Sequence, residues 1–266
     1  MNIPKYLDLY RNELEFKNYS DNTIRTYTGL IKLFLEKFSD YTEPKKIQIP
    51  VIKEYIKNSG SISSLKQNIG AIKRFYQYVI KQPLKFKYIE YPRKVSTLPR
   101  VIDQDDIVKR LSEIVNLKHR AVLTLTYCCG LRVSEIVNLK IEHIDGKNRI
   151  ILISQAKGNK DRYVPVSEFV LNLLREYFAT FSPKIYLFNG QNSIQYSVKS
   201  CQQIFKKYVS TQYSFHHLRH SALTAMLENG TDIRTIQVIA GHKSVKTTQI
   251  YTHISKKFLA TVNTPI

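Results

Sequence analysis

A chain of 266 residues with 43% hydrophobic side chains can build real cores, and it is comfortable as two domains, which excludes a disordered tail protein. Its 41 lysines and arginines against 21 acidic residues leave a net charge of +20, far beyond what folding requires, so a polyanion is the expected partner. Three cysteines, two of them adjacent, make neither a disulfide framework nor a zinc pattern, and no apolar run approaches the ~20 residues of a membrane span.

The amino terminus carries no signal-peptide architecture, so the expectation is a cytoplasmic protein with no membrane partner. The charge is not confined to one end: residues 1–95 carry a net +9 and residues 96–266 a net +11. No run of five or six like charges occurs, so the excess lies along folded segments. Two basic halves suit a clamp around a duplex better than a neutral domain with a basic tail.

In chain order, the first ninety residues read as four helices. Ser20-Asp21-Asn22 offers capping side chains before Ile24, Tyr27, Ile31, Phe34, Leu35 and Phe38 at helical spacing. A shorter helix is expected over Val51–Lys57, and after Gly60-Ser61 an apolar stripe runs through Leu65, Ile69, Ile72, Phe75, Tyr76 and Val79. Lys66, Lys73 and Arg74 on that last helix are candidate phosphate contacts. Between about 82 and 100, Pro83, Pro92 and Pro99 interrupt a basic stretch, which reads as a linker with the domain boundary near Lys94. The domains are therefore 1–94 and 95–266, with Lys94 a further DNA-contact candidate.

Beyond the linker, helices are expected from Asp103 to about Val115, from His119 to Cys129 with Gly130 as its stop, and from Arg132 to Leu139. The period then changes to two. Residues 149–153 and 161–166 read as strands of a hairpin whose tip is Ala156-Lys157-Gly158-Asn159-Lys160. Helices resume from Ser167, with Asn229-Gly230 and Gly241 as breaks. The fold class expected is mainly α with a small antiparallel β-hairpin, an α+β domain following a helical one.

The last fifty residues carry the densest chemistry: His216-His217-Leu218-Arg219-His220, then Gly241-His242, then Tyr251-Thr252-His253. Phenol, guanidinium and imidazole side chains together suit a phosphodiester, because tyrosine can attack phosphorus while cations hold the charge on its oxygens. His216 and Arg219 are three residues apart on one helix, so both could face one phosphate. Upstream, Glu135 sits one helical turn from Arg132 and can orient its guanidinium, although for that pair in isolation a surface ion pair is the better reading.

In order, Gly130-Leu131-Arg132-Val133-Ser134-Glu135, Lys157 to Arg162, His216 to His220, Gly241 to Ser244, and Tyr251-Thr252-His253 resemble the tyrosine recombinases. The likeness is greatest to the Xer-type and simple phage-integrase members, and it covers nearly the whole chain. The resemblance implies a two-domain, C-shaped DNA clamp in which a SAM-like helical domain precedes the catalytic one. It implies Tyr251 as the nucleophile that joins a 3′ phosphate, Arg132 and Arg219 as the pair on the phosphoryl oxygens, and His242 on the same phosphate. It also implies Lys157 as the acid for the departing 5′ oxygen, His216 as the aid to proton removal from the tyrosine, and Glu135 as a supporting carboxylate. Lys160 and Arg162, in the basic hairpin, are added as DNA contacts. Ala156 and Ala240 stand where related sequences often have glycine and leucine, changes of packing scale.

No cofactor, metal or ATP is implied, and the sequence holds no phosphate-binding Gly-x-x-x-x-Gly-Lys-Ser/Thr loop. The implied partners are a double-stranded DNA recombination site, a homotetramer in the synaptic complex with a monomer off DNA, and room for a partner recombinase or accessory protein. A nucleoid-associated location follows. Ile254, Phe258, Leu259 and Val262 give the tail an apolar face that, by resemblance, docks on a neighbouring protomer. Integration, excision, inversion and dimer resolution stay open, as do a type IB topoisomerase-like nicking-closing activity and a non-catalytic DNA-binding regulator.

Overall fold

The computed structural model describes residues 1–86, 89–93, 100–154, 161–191, 193–242 and 244–252. The chain divides into two units, Met1–Ser96 and Thr97–Ile266.

The regular elements of unit one, among its described residues, are helices: α1 (Ile3–Phe16), α2 (Asp21–Lys37), α3 (Ile49–Lys57) and α4 (Ile62–Tyr78), with short 3₁₀ turns at Pro44–Lys46 and Pro83–Phe86. Asn2 caps α1 by accepting from the Lys5 N–H, and Ser61 caps α4 from the Ser64 N–H. The α3 start moves two residues ahead of the expectation, because Pro50 is accommodated inside the first turn, where its missing N–H costs nothing. The apolar stripes of α2 and α4 meet α1 in an aromatic core around Tyr10, Phe34, Phe75 and Tyr76. Phe75 stands edge-on to Tyr10 at 5.5 Å, and the Tyr10 hydroxyl donates to the Ala71 carbonyl at 2.9 Å.

Unit two is a helical body carrying one small sheet. Helices α5 (Gln104–Ser112) and α6 (Leu117–Cys129) are set by the caps Asp103 and Asn116, whose side chains accept first-turn N–H groups. The cap at Asn116 starts α6 two residues before the expected His119. Glu113 ends α5 short of Val115, which is left 94% exposed. Short α7 (Val133–Val137) follows. The sheet has three antiparallel strands in the order β1 (Ile144–Asp145), β2 (Ile150–Ile153) and β3 (Arg162–Pro165). The two-residue β1 was not foreseen, since two residues display no period. Register pairs Ile151 with Val164 and Ile153 with Arg162, so Ile151, Ile153 and Val164 share the buried face.

Helices α8 (Glu168–Phe181), α9 (Val198–Tyr208), α10 (His216–Glu228), α11 (Ile233–Ala240) and α12 (Val245–Thr248) complete the unit, with one 3₁₀ turn, Gln249–Tyr251, behind them. Around α6, an almost wholly buried helix, the body packs on all sides, which explains its apolar run through Cys129. Among the described residues no helix is long and apolar enough to cross a membrane.

Candidate active site

Two helix ends build the site. Helix α6 stops at Gly130 and α11 stops at Gly241, both with φ of +60°. That left-handed conformation suits glycine, and a Cβ at either position would press on Leu223 or Arg162 at 3.1 Å. Each end points carbonyl oxygens, the negative pole of a helix, into the same space. Arg219 of α10 fills it: its guanidinium donates to the Gly130 carbonyl at 2.6 Å and also to the Ala240 carbonyl. Only 1% of the residue is exposed. Burial, and then the charge of Arg132, pushes its pKa down to about 10, so it stays cationic at neutral pH.

Glu135 is the counter-charge. It lies one turn into α7, and its Oε2 accepts the Arg132 backbone N–H at 2.8 Å while Oε1 accepts from Arg132 Nη1 at 2.7 Å. Arg162 of β3 adds a fork of two bonds, Nη1 to Oε1 at 2.9 Å and Nη2 to Oε2 at 2.8 Å. Arg219 Nη1 stands 3.8 Å from the same carboxylate. Burial alone would raise the Glu135 pKa; the bonds and charges of Arg162 and Arg132 outweigh it and hold the carboxyl at about 2. Three guanidinium groups around one carboxylate leave positive charge to spare. Arg132, half-buried, also donates to the Gly241 carbonyl at 3.4 Å and presents that charge to the surface.

The imidazoles lie beside the guanidinium pair. His242 Nε2 sits 3.3 Å from Arg219 Nη2, and its Nδ1 sits 2.9 Å from Thr248 Oγ1. Because arginine can only donate, Nε2 accepts and the ring proton resides on Nδ1. The hydroxyl of Tyr251 lies 3.0 Å from Nδ1 of His220. Its ring packs against Leu223, Leu227, Ile236 and Ala240, 1% exposed, and lies nearly parallel to His242 with centroids 6.4 Å apart. Burial pushes the phenol up to about 12, while Arg219 and Arg132 pull it back down.

Burial and surrounding positive charge hold His220 and His242 each at about 4. A buried neutral histidine protonates more readily once unfolded, so the unfolded state binds more protons between pH ~6.5 and ~4. Stability is therefore expected to fall as pH drops through that window, by at most about 1.4 kcal/mol per group per pH unit. Below about pH 4.5 Glu135 adds to it, because the unfolded chain takes up a proton there while the folded carboxyl stays ionised down to about 2. Melting curves followed by circular dichroism from pH 7.5 to 4.5 check this; a flat melting temperature would contradict it.

Of the residues singled out from sequence, Arg132, Glu135, Arg219, His242 and Tyr251 come together here. His216 stands at the start of α10 with much of its surface exposed, edge-on to His220 with ring centroids 4.5 Å apart; partial burial of its ring and the charges of Arg219 and Arg132 lower its pKa. Lys157, Lys160 and Lys94, and the tail beyond Thr252, lie outside the described residues.

Arg162 corrects an expectation. It was placed among DNA contacts at the hairpin but points inward, 8% exposed, with Nε donating to the Ile239 carbonyl at 2.7 Å. Period-two alternation was the available signal, since Arg162 has the parity of Val164 and Val166. Arg74 is likewise engaged within its own unit, donating to the Tyr19 hydroxyl at 2.8 Å and the Gly70 carbonyl at 3.2 Å between the Tyr19 and Tyr27 rings. Lys73 Nζ lies 5.2 Å from the centre of the Tyr91 ring, and Lys66 is partly exposed. His220 and Thr248 joined the site without having been assigned a role, and His220 was visible as the residue following Arg219.

Residues 100–257 match the phage integrase family, and residues 6–86 match the N-terminal SAM-like domain of phage integrases. The tyrosine recombinase XerA of Pyrococcus horikoshii is 34% identical over 262 residues, spanning 95% of this chain and 90% of that protein. The tyrosine recombinase XerD of Staphylococcus epidermidis is 31% identical, with 96% of this chain and 94% of the relative covered. The crystal structure of the XerH site-specific recombinase bound to palindromic difH substrate, a post-cleavage complex, matches 89% of this chain and 77% of its own with a TM-score of 0.70. At 24% identity that last likeness is one of fold.

Proposed function

The chain belongs to the phage integrase family of tyrosine recombinases, from which we infer that it is a site-specific recombinase that cleaves and rejoins DNA strands. The observation that carries the mechanism is the Tyr251 hydroxyl, 3.0 Å from His220 Nδ1 and, against the upward push of burial, pulled down in pKa by the charges of Arg219 and Arg132, which Glu135 and two helix ends keep in place.

In this reading the scissile phosphate docks against Arg132 and Arg219, with His242 at its side. In-line attack by the Tyr251 oxygen adds negative charge to the phosphoryl oxygens, and pre-positioned cations stabilise it with little reorganisation. In the tautomer present, His242 Nε2 has no proton to offer. An anionic phosphate beside it favours the imidazolium, which then donates. Tyr251 becomes bonded to the 3′ phosphate and the 5′ oxygen departs, with Lys157 as the candidate acid. The phosphotyrosyl ester keeps the energy of the broken bond, so rejoining is the same step reversed. Since Tyr251 is buried, DNA must first uncover its hydroxyl.

The partner is duplex DNA carrying a recombination site. Lys66 and Lys73 in unit one, and Lys94 and Lys160, are proposed as backbone contacts. Strand exchange between two duplexes calls for four protomers.

The test is a nicked suicide duplex incubated with the protein, after which a denaturation-resistant protein–DNA adduct is expected. Relaxation of supercoiled plasmid without recombinant product would favour a nicking-closing enzyme, and binding with no adduct a regulator. Binding should weaken steeply with salt: each phosphate neutralised contributes roughly −0.9 to the log–log slope, so six contacts lose on the order of 10³-fold between 50 and 200 mM. A binding curve unchanged over that range would refute a phosphate-dominated grip.

A further inference from the structure

Before its oxygen can bond to phosphorus, the phenol of Tyr251 needs somewhere to send its proton. The family resemblance offers His216 for that task. The geometry favours another ring: Tyr251 Oη lies 3.0 Å from His220 Nδ1, whereas His216 stands exposed at the first residue of α10 and touches His220 edge-on. We propose that His220 is the general base that receives the Tyr251 proton during strand cleavage. The proposal rests on the recombinase reading above and assigns a catalytic residue within that site.

The protonation states agree with the geometry. Burial, followed by the charges of His216, His217 and Arg219, holds His220 at about 4, so at neutral pH its Nδ1 lone pair is available. Burial keeps the phenol protonated, its pKa near 12. The phenol therefore donates to Nδ1, and the ring proton of His220 resides on Nε2.

Placement is rigid. His220 follows Arg219 on α10, and Arg219 is anchored to the carbonyls of Gly130 and Ala240. The Tyr251 ring packs on Leu223 and Leu227 of the same helix. One helix thus fixes phosphate ligand, base and nucleophile together.

A bound phosphodiester also changes the base. Its negative charge beside Arg132 and Arg219 offsets the guanidinium charge that disfavours an imidazolium at His220. The base is thereby strengthened when substrate is present. In the step itself the Tyr251 oxygen bonds to phosphorus while its proton passes to His220 Nδ1. The bond from phosphorus to the 5′ oxygen breaks, and its electron pair leaves on that oxygen, which takes a proton from a separate acid. On religation the His220 imidazolium returns its proton to the tyrosine oxygen.

Single-turnover adduct formation at saturating protein tests this, on a suicide duplex that the wild-type chain has selected from a randomised library. His220→Asn places Oδ1 near the position of Nδ1, keeping an acceptor that cannot take the proton; His220→Ala removes both. Both variants are expected to slow the reaction about 10²-fold or more, with duplex affinity and melting temperature close to wild type. Added imidazole should partly restore His220→Ala and should leave Tyr251→Phe inert. Cleavage at the wild-type rate by His220→Asn would overturn the proposal, as would a loss confined to His216→Asn. If the alanine variant fails to fold, the asparagine variant carries the test alone. Absence of adduct with the wild-type chain is a different outcome, which would reject the recombinase reading itself.

Discussion

Tyr251→Phe is expected to abolish the covalent protein–DNA adduct, a fall of at least about 10⁴-fold, while duplex affinity stays within about twofold of wild type. The substitution deletes one oxygen from a ring that is otherwise buried against Leu223, Leu227, Ile236 and Ala240. The cavity and the packing are unchanged, so folding is preserved. The cost to stability is the lost hydrogen bond to His220, on the order of 1 kcal/mol. Phosphate contacts made by lysines and arginines do not pass through this hydroxyl, which is why binding should persist. Gel electrophoresis under denaturing conditions, paired with a mobility shift on the same duplex, reads both quantities. An adduct surviving in the phenylalanine variant would reject Tyr251 as nucleophile.

Glu135→Gln is expected to be the most damaging change that touches neither substrate nor nucleophile. The carboxylate accepts bonds from Arg132 and Arg162 and faces Arg219 at 3.8 Å. An amide of the same shape removes the negative charge and turns an N–H₂ toward guanidinium donors. Breaking such a buried pair from one side costs about 3–5 kcal/mol, because the remaining charges stay uncompensated. In a unit of 150–250 residues that corresponds to a fall of roughly 10 °C in melting temperature. Cleavage should also slow about 10²-fold or more as Arg132 and Arg219 lose their fixed positions. Calorimetry and single-turnover cleavage check the two effects. A variant melting within about 1 kcal/mol of wild type would show that solvent, rather than Glu135, balances the cluster.

Much of the fold could be read from local rules. Apolar periodicity located the long helices, and Gly130 and Gly241 marked two stops that proved to be left-handed caps. Where local rules were weak, boundaries shifted: α6 began at Leu117, behind the Asn116 cap and two residues before the expected His119, and β1 had too few residues to show a period. Arg162 was misjudged because its charge was weighed above its strand parity. A basic residue in a basic hairpin looks like a surface contact unless a carboxylate waits on the inward face, and Glu135 lies twenty-seven residues earlier in the chain.

By itself the sequence determined the family, the helical organisation, the positive field and the residue types that a phosphotyrosyl reaction needs. Those follow from composition, period and ordered motifs, all of which are properties of neighbouring residues. The tertiary structure decided which groups touch. Carbonyls at the ends of α6 and α11 converge on Arg219, three guanidinium groups share Glu135, and the Tyr251 hydroxyl meets His220. Apart from Arg132 and Glu135, these contacts join residues from 21 to 89 positions apart. Their strength depends on burial and local charge, which only the packed chain defines, and so the acid and base roles at this site are legible only in three dimensions.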